Sequence, residues 1–206
     1  MKVAVIDSGI HPGHTHVGAV AGGVGVTDSG FSGDILDRIG HGTAVAGAIR
    51  EKAPEAELYA VKVFDRRLST NIERILRALE WCLDQRMDVI NLSLGTTNKA
   101  HRERFERLVA SDAWVVSAAD RLPGSLPSVI GVASEPGCPR QVFRYRDGIF
   151  YASPYPRSIP GVPPARNLQG VSFAVANMSG FVARTLASGP HDSLRARLIA
   201  GAVNRL

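Results

Sequence analysis

Five apolar runs recur along the chain at intervals that suit a repeating strand–helix unit: 3–6 (VAVI), 57–64 (ELYAVKVF), 89–93 (VINLS), 114–118 (WVVSA) and 128–133 (SVIGVA). They are nearly continuous rather than alternating, and rich in β-branched residues. Strands buried on both faces of a parallel sheet have this pattern. Between them, apolar residues recur at helical spacing over 41–50, 69–85 and 100–111, and two further helical stretches, 172–187 and 191–203, close the chain. Such alternation predicts an α/β fold of three layers, with a mainly parallel central sheet and helices on both faces. The segment 141–151 alternates around Asp147-Gly148, which predicts a small β-hairpin ahead of the last long helix. The proline-rich stretch 153–164 reads as an ordered loop. No repeat or linker interrupts the pattern, so one domain is expected over 1–206. The glycine-rich run 18–25 is no dinucleotide fingerprint, because it does not join a strand to a helix at the required spacing.

Three polar residues fall at the ends of these elements. Asp7 follows the first apolar run and precedes Ser8-Gly9. It therefore stands at the carboxyl end of a strand, where open α/β sheets place their ligands; the same residues also suit a simple turn. His41 opens a helix between Gly40 and Gly42, followed by small residues that permit close packing. A histidine there also serves as a cap or a packed core residue. Ser172 opens the helix that follows Gly170. An N-cap serine is common, but a serine in that place also presents its N–H to a cleft at the positive end of the helix dipole. One chemistry asks for all three. A serine hydroxyl needs a base to take its proton, histidine titrates near neutrality, and a carboxylate fixes the imidazole tautomer and stabilises the imidazolium.

The segments VAVIDSGI (3–10), GHGTAVAG (40–47) and GVSFAVANMSG (170–180), in the order Asp, His, Ser, resemble the motifs of the subtilisin-like serine peptidases, the S8 family. LYAVKVF, VINLSLG, WVVSAA and PSVIGV resemble the intervening strands of that family, in the expected order. The resemblance implies a subtilisin-like fold with Asp7, His41 and Ser172 as catalytic residues. It implies that an extended peptide lies between Ser93, Leu94, Gly95 and Ser117, Ala118, Ala119, adding a strand through main-chain hydrogen bonds. The small residues Ala118 and Ala119 leave room for an apolar or medium side chain.

Departures from the family pattern bear on activity. The pocket strand of the family ends in Gly-Asn, whose Asn donates to the oxyanion; here the residues are Ala118-Ala119-Asp120-Arg121. An ungapped match puts Arg121 at the Asn position, and a one-residue deletion puts Asp120 there. Arginine can donate; a carboxylate only accepts and would repel an oxyanion. Val171 replaces a hydroxyl residue, and Ala176 and Asn177 stand where Pro and His are expected. The stretch 50–57 is short and mixed in charge where many relatives carry a calcium loop, so no calcium is expected there. With a strand beginning at residue 3, neither a signal peptide nor a propeptide is expected.

Composition narrows the reading further. The 206 residues are 45% hydrophobic and 21% charged, with a formal net charge of +5, enough for one globular core. No apolar run approaches the ~20 residues of a membrane span. Arg140, Arg144, Arg146, Arg157 and Arg166 gather ahead of Ser172, as a solvated surface or as a basic rim favouring acidic peptides. No nucleic-acid motif appears. Cys82 and Cys138 form no CxxC and fit a reducing compartment, though a disulfide stays open. His11, His14 and His16 cluster without the cysteine or carboxylate of a strong metal site. The expectation is a cytoplasmic serine endopeptidase that cleaves extended peptide or protein substrates through an acyl-enzyme, without metal, cofactor, nucleic acid or membrane. Maturation of a peptide precursor is a narrower role. The alternative is a catalytically impaired peptide-binding protein. The oligomeric state is open.

Overall fold

In the computed structural model, residues 1–163 and 166–204 are described. Nine strands form one sheet: β1 (Lys2–Asp7), β2 (Gly22–Thr27), β3 (Gly30–Ser32), β4 (Glu57–Lys62), β5 (Val89–Leu92), β6 (Trp114–Ala118), β7 (Ile130–Ser134), β8 (Arg144–Arg146) and β9 (Ile149–Ala152). The order is β3-β2-β4-β1-β5-β6-β7-β9-β8. Neighbours pair in parallel from β2 through β9, and only the outermost strands, β3 and β8, run antiparallel to theirs. The helices are α1 (His41–Lys52), α2 (Ile72–Asp84), α3 (Arg102–Val109), α4 (Val171–Ala187) and α5 (Leu194–Gly201). No described helix is long and apolar enough to cross a membrane.

The continuous apolar runs explain the three layers. In β1, Val3 and Val5 pack with α1 and α4 on one face, while Ala4 and Ile6 pack with α2 and α3 on the other. A strand covered on both sides has no polar face, hence no alternation. The expected three-layer α/β/α architecture with a mainly parallel sheet is the one found. The hairpin also stands: Asp147 and Gly148 both have positive φ, at 51° and 84°, as a two-residue turn with the twist of its strands requires.

Two elements departed from expectation. The second half of the glycine-rich run, 22–25, forms most of strand β2, which the low β propensity of glycine concealed. Gly23 lies so close to β4 that any side chain there would strike the Ala60 backbone. The inward Val24 and Val26 supply the burial. Helix α2 begins at Ile72 rather than Ser69, because Asn71 caps it by accepting from the Arg74 N–H at 3.0 Å. That leaves Ser69 and Thr70 outside the helix. The proline-rich loop is seen as far as Pro163; Pro164 lies outside the described residues.

The link from α1 to β4 is closed by an arginine. The Arg50 guanidinium donates to the carbonyls of Val17 (2.9 Å), Ala19 (2.9 Å), Pro54 (2.6 Å) and Ala56 (2.6 Å). A cation belonging to the chain thus gathers the main-chain oxygens of this corner.

Candidate active site

Asp7 is the last residue of β1 and is 1% exposed. Its Oδ1 accepts from the Ser8 N–H and meets His41 Nδ1, each at 2.8 Å, and Ser93 Oγ reaches its Oδ2 at 3.5 Å. His41 is the first residue of α1, and a second acid, Asp37, fixes this helix start. Asp37 Oδ1 accepts from Ser8 Oγ, Ile39 N and Gly40 N, each at 2.9 Å, while its Oδ2 accepts from Thr43 N at 2.8 Å and Thr43 Oγ1 at 2.7 Å. Ser8 Oγ in turn accepts from Gly42 N at 2.9 Å. The helix therefore takes its N-terminal charge from a residue outside it, which its dipole favours. Gly42 permits this seating, because a side chain there would collide with the Gly9 carbonyl. Burial disfavours the charged form of Asp37, but these five donors outweigh it and hold its carboxyl below the usual range.

The His41 ring lies 5.2 Å, centroid to centroid, from Phe173. Burial opposes its protonation. The hydrogen bond and charge of Asp7, with the charge of Asp37, prevail and raise its pKa above the ordinary 6.5.

Ser172 is the second residue of α4. Its N–H belongs to the first turn, which has no intrahelical partner. Its hydroxyl donates to the Ser93 carbonyl at 3.5 Å; no hydrogen bond joins it to His41 among the described residues. A buried polar chain ties the helix to the acid: Ser179 Oγ donates to Asn91 Oδ1 at 3.0 Å, and Asn91 Nδ2 to Ser93 Oγ at 3.1 Å. Asn177, at the position where the motif departs, clamps the approach to Ser172 through the carbonyls of Ser153 and Tyr155, both at 3.0 Å.

Asp7, His41 and Ser172 share a cleft of about 370 Å³. Ser93, Leu94 and Gly95 form one wall, and Leu68, Ser69 and Thr70 face it. Ser117, Ala118 and Ala119 do not line it. Ser117 and Ala118 are wholly buried within β6, and the following chain closes over Gly95 by an antiparallel bridge, Thr96 to Leu122, with hydrogen bonds of 3.0 and 2.9 Å. Sequence reasoning missed Leu68, Ser69, Thr70, Asp37 and Asn91. The helical reading of 69–85 hid the opposite wall, and only the Asx capping signal of Asn71 pointed to a later start.

Arg121 lines the cleft and Asp120 does not. The two are paired, Arg121 Nε and Nη2 donating to the Asp120 oxygens at 2.8 and 2.7 Å. His11, His14 and His16 gather at a different cavity. Among the described residues no three His, Cys, Asp or Glu side chains are placed to hold a metal. Cys82 and Cys138 are buried free thiols, and burial raises both pKa values.

The model of the Subtilase family matches residues 1–128. The chain belongs to the subtilase family. It is 36% identical over 156 residues to subtilisin E of Bacillus subtilis, covering 65% of this chain and 40% of that one. It is 35% identical over 153 residues to the minor extracellular protease Epr of the same organism, covering 65% and 23%. The chain thus spans less than half the length of these relatives. Subtilisin DY of Bacillus licheniformis aligns over 99% of the chain and 84% of its own length at 29% identity. The crystal structure of a cold adapted subtilisin-like serine proteinase superposes with a TM-score of 0.74 at 21% identity, covering 97% and 81%.

Proposed function

We propose that this subtilase is a serine endopeptidase in which Asp7 orients His41, His41 takes the proton of Ser172, and Ser172 forms an acyl-enzyme with an extended peptide. The observation that carries the reading is the 2.8 Å bond from Asp7 Oδ1 to His41 Nδ1, with Ser172 in the same cleft. The bond fixes the tautomer that leaves Nε2 free to act as base. A turn of Ser172 about its side-chain torsion, from the Ser93 carbonyl toward His41, completes the arrangement when substrate enters. Such bonds are often loose before substrate binds.

The acyl half of the peptide adds a strand between Ser93, Leu94, Gly95 and Leu68, Ser69, Thr70. Thr70 Oγ1 supports this placement, being buried without a partner among the described residues. The oxyanion is met by the Ser172 N–H at the positive end of α4 and by Arg121, once its hold on Asp120 loosens. Maturation of a peptide precursor is the narrower role. A substrate profile confined to a few sequences is its expected result, and broad digestion of unfolded proteins would refute it. The two buried free thiols fit a reducing compartment such as the cytoplasm, although one relative is named extracellular.

The test is covalent. A fluorophosphonate should label the protein at Ser172, and Ser172→Ala should abolish labelling and lower turnover by roughly 10⁶-fold, the loss a subtilisin suffers on removal of its serine. An unmodified protein that refuses the label, yet binds peptides, would be the impaired binding protein instead.

A further inference from the structure

A second cavity adjoins the site from the far side of His41. Its volume is about 730 Å³, roughly twice that of the cleft. Gly40, Thr43 and Ala44, which surround His41 at the start of α1, form one edge, and Leu168, four residues ahead of Ser172, forms another. The two cavities share no lining residue; His41 and Ser172 line only the cleft, and the second cavity reaches their chain neighbours Gly40 and Leu168.

The chemistry of this cavity has two parts. One wall is apolar, built from Ala44, Pro156, Ile159, Val162 and Leu168. Ile159 and Leu168 stand 45% and 47% exposed, an unusual position for large hydrophobic side chains so close to a functional cleft. The lip is basic, with Arg157 and Arg166 beside the His11, His14 and His16 loop. Arg157 Nη1 donates to the His16 carbonyl at 2.9 Å and joins loop to lip. The one acidic residue in the described lining is Asp37, and its oxygens are already engaged by five donors. Neither lip arginine forms a salt bridge among the described residues, although Arg157 lies near enough to Glu51 to lower the pKa of that acid.

We propose that this cavity binds the leaving-group side of the substrate and selects a peptide with a large apolar residue just after the scissile bond, followed within a few residues by a carboxylate. The inference rests on the peptidase reading above. With the acyl half paired along Ser93, Leu94 and Gly95, the remainder of the peptide must depart past His41 in the opposite direction, where this cavity opens. The apolar wall removes the first side chain from water, and the basic lip meets the carboxylate. That carboxylate is either the C-terminus of the peptide or an Asp or Glu side chain; the two share the same chemistry.

Equilibrium binding of short peptides to the intact chain tests this without any cleavage step. The probes are Leu-Ala-Ala with a free carboxylate, its C-terminal amide, Ala-Ala-Ala with a free carboxylate, and the amide of Leu-Ala-Glu. Leu-Ala-Ala acid should bind at least tenfold tighter than both its amide and Ala-Ala-Ala. If Leu-Ala-Glu amide matches the acid, a side-chain carboxylate suffices; if it binds no better than the plain amide, the C-terminus is required. Arg166→Gln should erase the carboxylate preference alone, and Leu168→Ser the leucine preference alone. Both side chains are exposed, so neither change threatens folding. Equal affinity for all four probes, or preferences that survive both substitutions, would overturn the proposal. Failure of fluorophosphonate labelling with selective binding intact would instead sink the peptidase reading and leave this cavity assigned.

Discussion

The two sides of the site are held very differently. On the Asp7–His41 side each group has its partners: Asp7 meets Ser8 and His41, Asp37 accepts five hydrogen bonds, and Gly42 seats the helix against the Gly9 carbonyl. On the Ser172–Arg121 side the hydroxyl has one long bond, to Ser93, and the guanidinium is turned to Asp120. Asp7, His41, Asp37 and Arg121 lie in the stretch that matches the family model, and Ser172 lies beyond its end. The Asp7–His41 pair is built and oriented by the fold alone. On the proposed mechanism, the Ser172 hydroxyl and the Arg121 guanidinium turn into place only when substrate arrives.

The largest effect expected from breaking this contrast is on the ordered side. Asp7→Asn should keep the fold and lower kcat by about 10⁴-fold, because the amide stabilises the wrong imidazole tautomer; steady-state kinetics beside an unchanged circular dichroism spectrum measure it. On the looser side, Arg121→Ala should lower kcat by roughly 10²-fold with little change in KM, the signature of a lost oxyanion donor. A pure rise in KM would make Arg121 a binding residue instead.

Smaller effects sharpen the comparison. Asn91→Leu leaves Ser93 and Ser179 without their buried partner and should cost about 2 kcal/mol in denaturant unfolding. Lowering the pH should reduce kcat/KM with a midpoint above the ordinary histidine value of 6.5, since the base must be neutral and Asp7 raises its pKa. Stability follows the reverse sign at His41: its ionic contribution is present below the unfolded pKa and is lost as pH rises through the folded one. Asp37, held low, contributes above the unfolded value near 3.8 and loses that contribution as pH falls through its folded pKa. The smallest effect is Asp120→Ala. It should release Arg121 and raise kcat a few-fold, and a decrease would contradict the oxyanion role.

The sequence by itself determined the layered parallel sheet, because a strand covered on both faces is apolar nearly throughout, as 3–6 is and as 89–92 is but for Asn91. It also named Asp7, His41 and Ser172, because their motifs are local. It missed β2, whose glycines are explained only by the backbone of β4 beside Gly23. It placed the second cleft wall in β6, where tertiary pairing of Thr96 with Leu122 buries that segment and leaves Leu68, Ser69 and Thr70 to face the cleft. Local order is written in neighbouring residues and can be read from them. Which distant segments line a cavity, and whether Arg121 faces the cleft or Asp120 does, depends on close approaches between parts of the chain that share no sequence pattern.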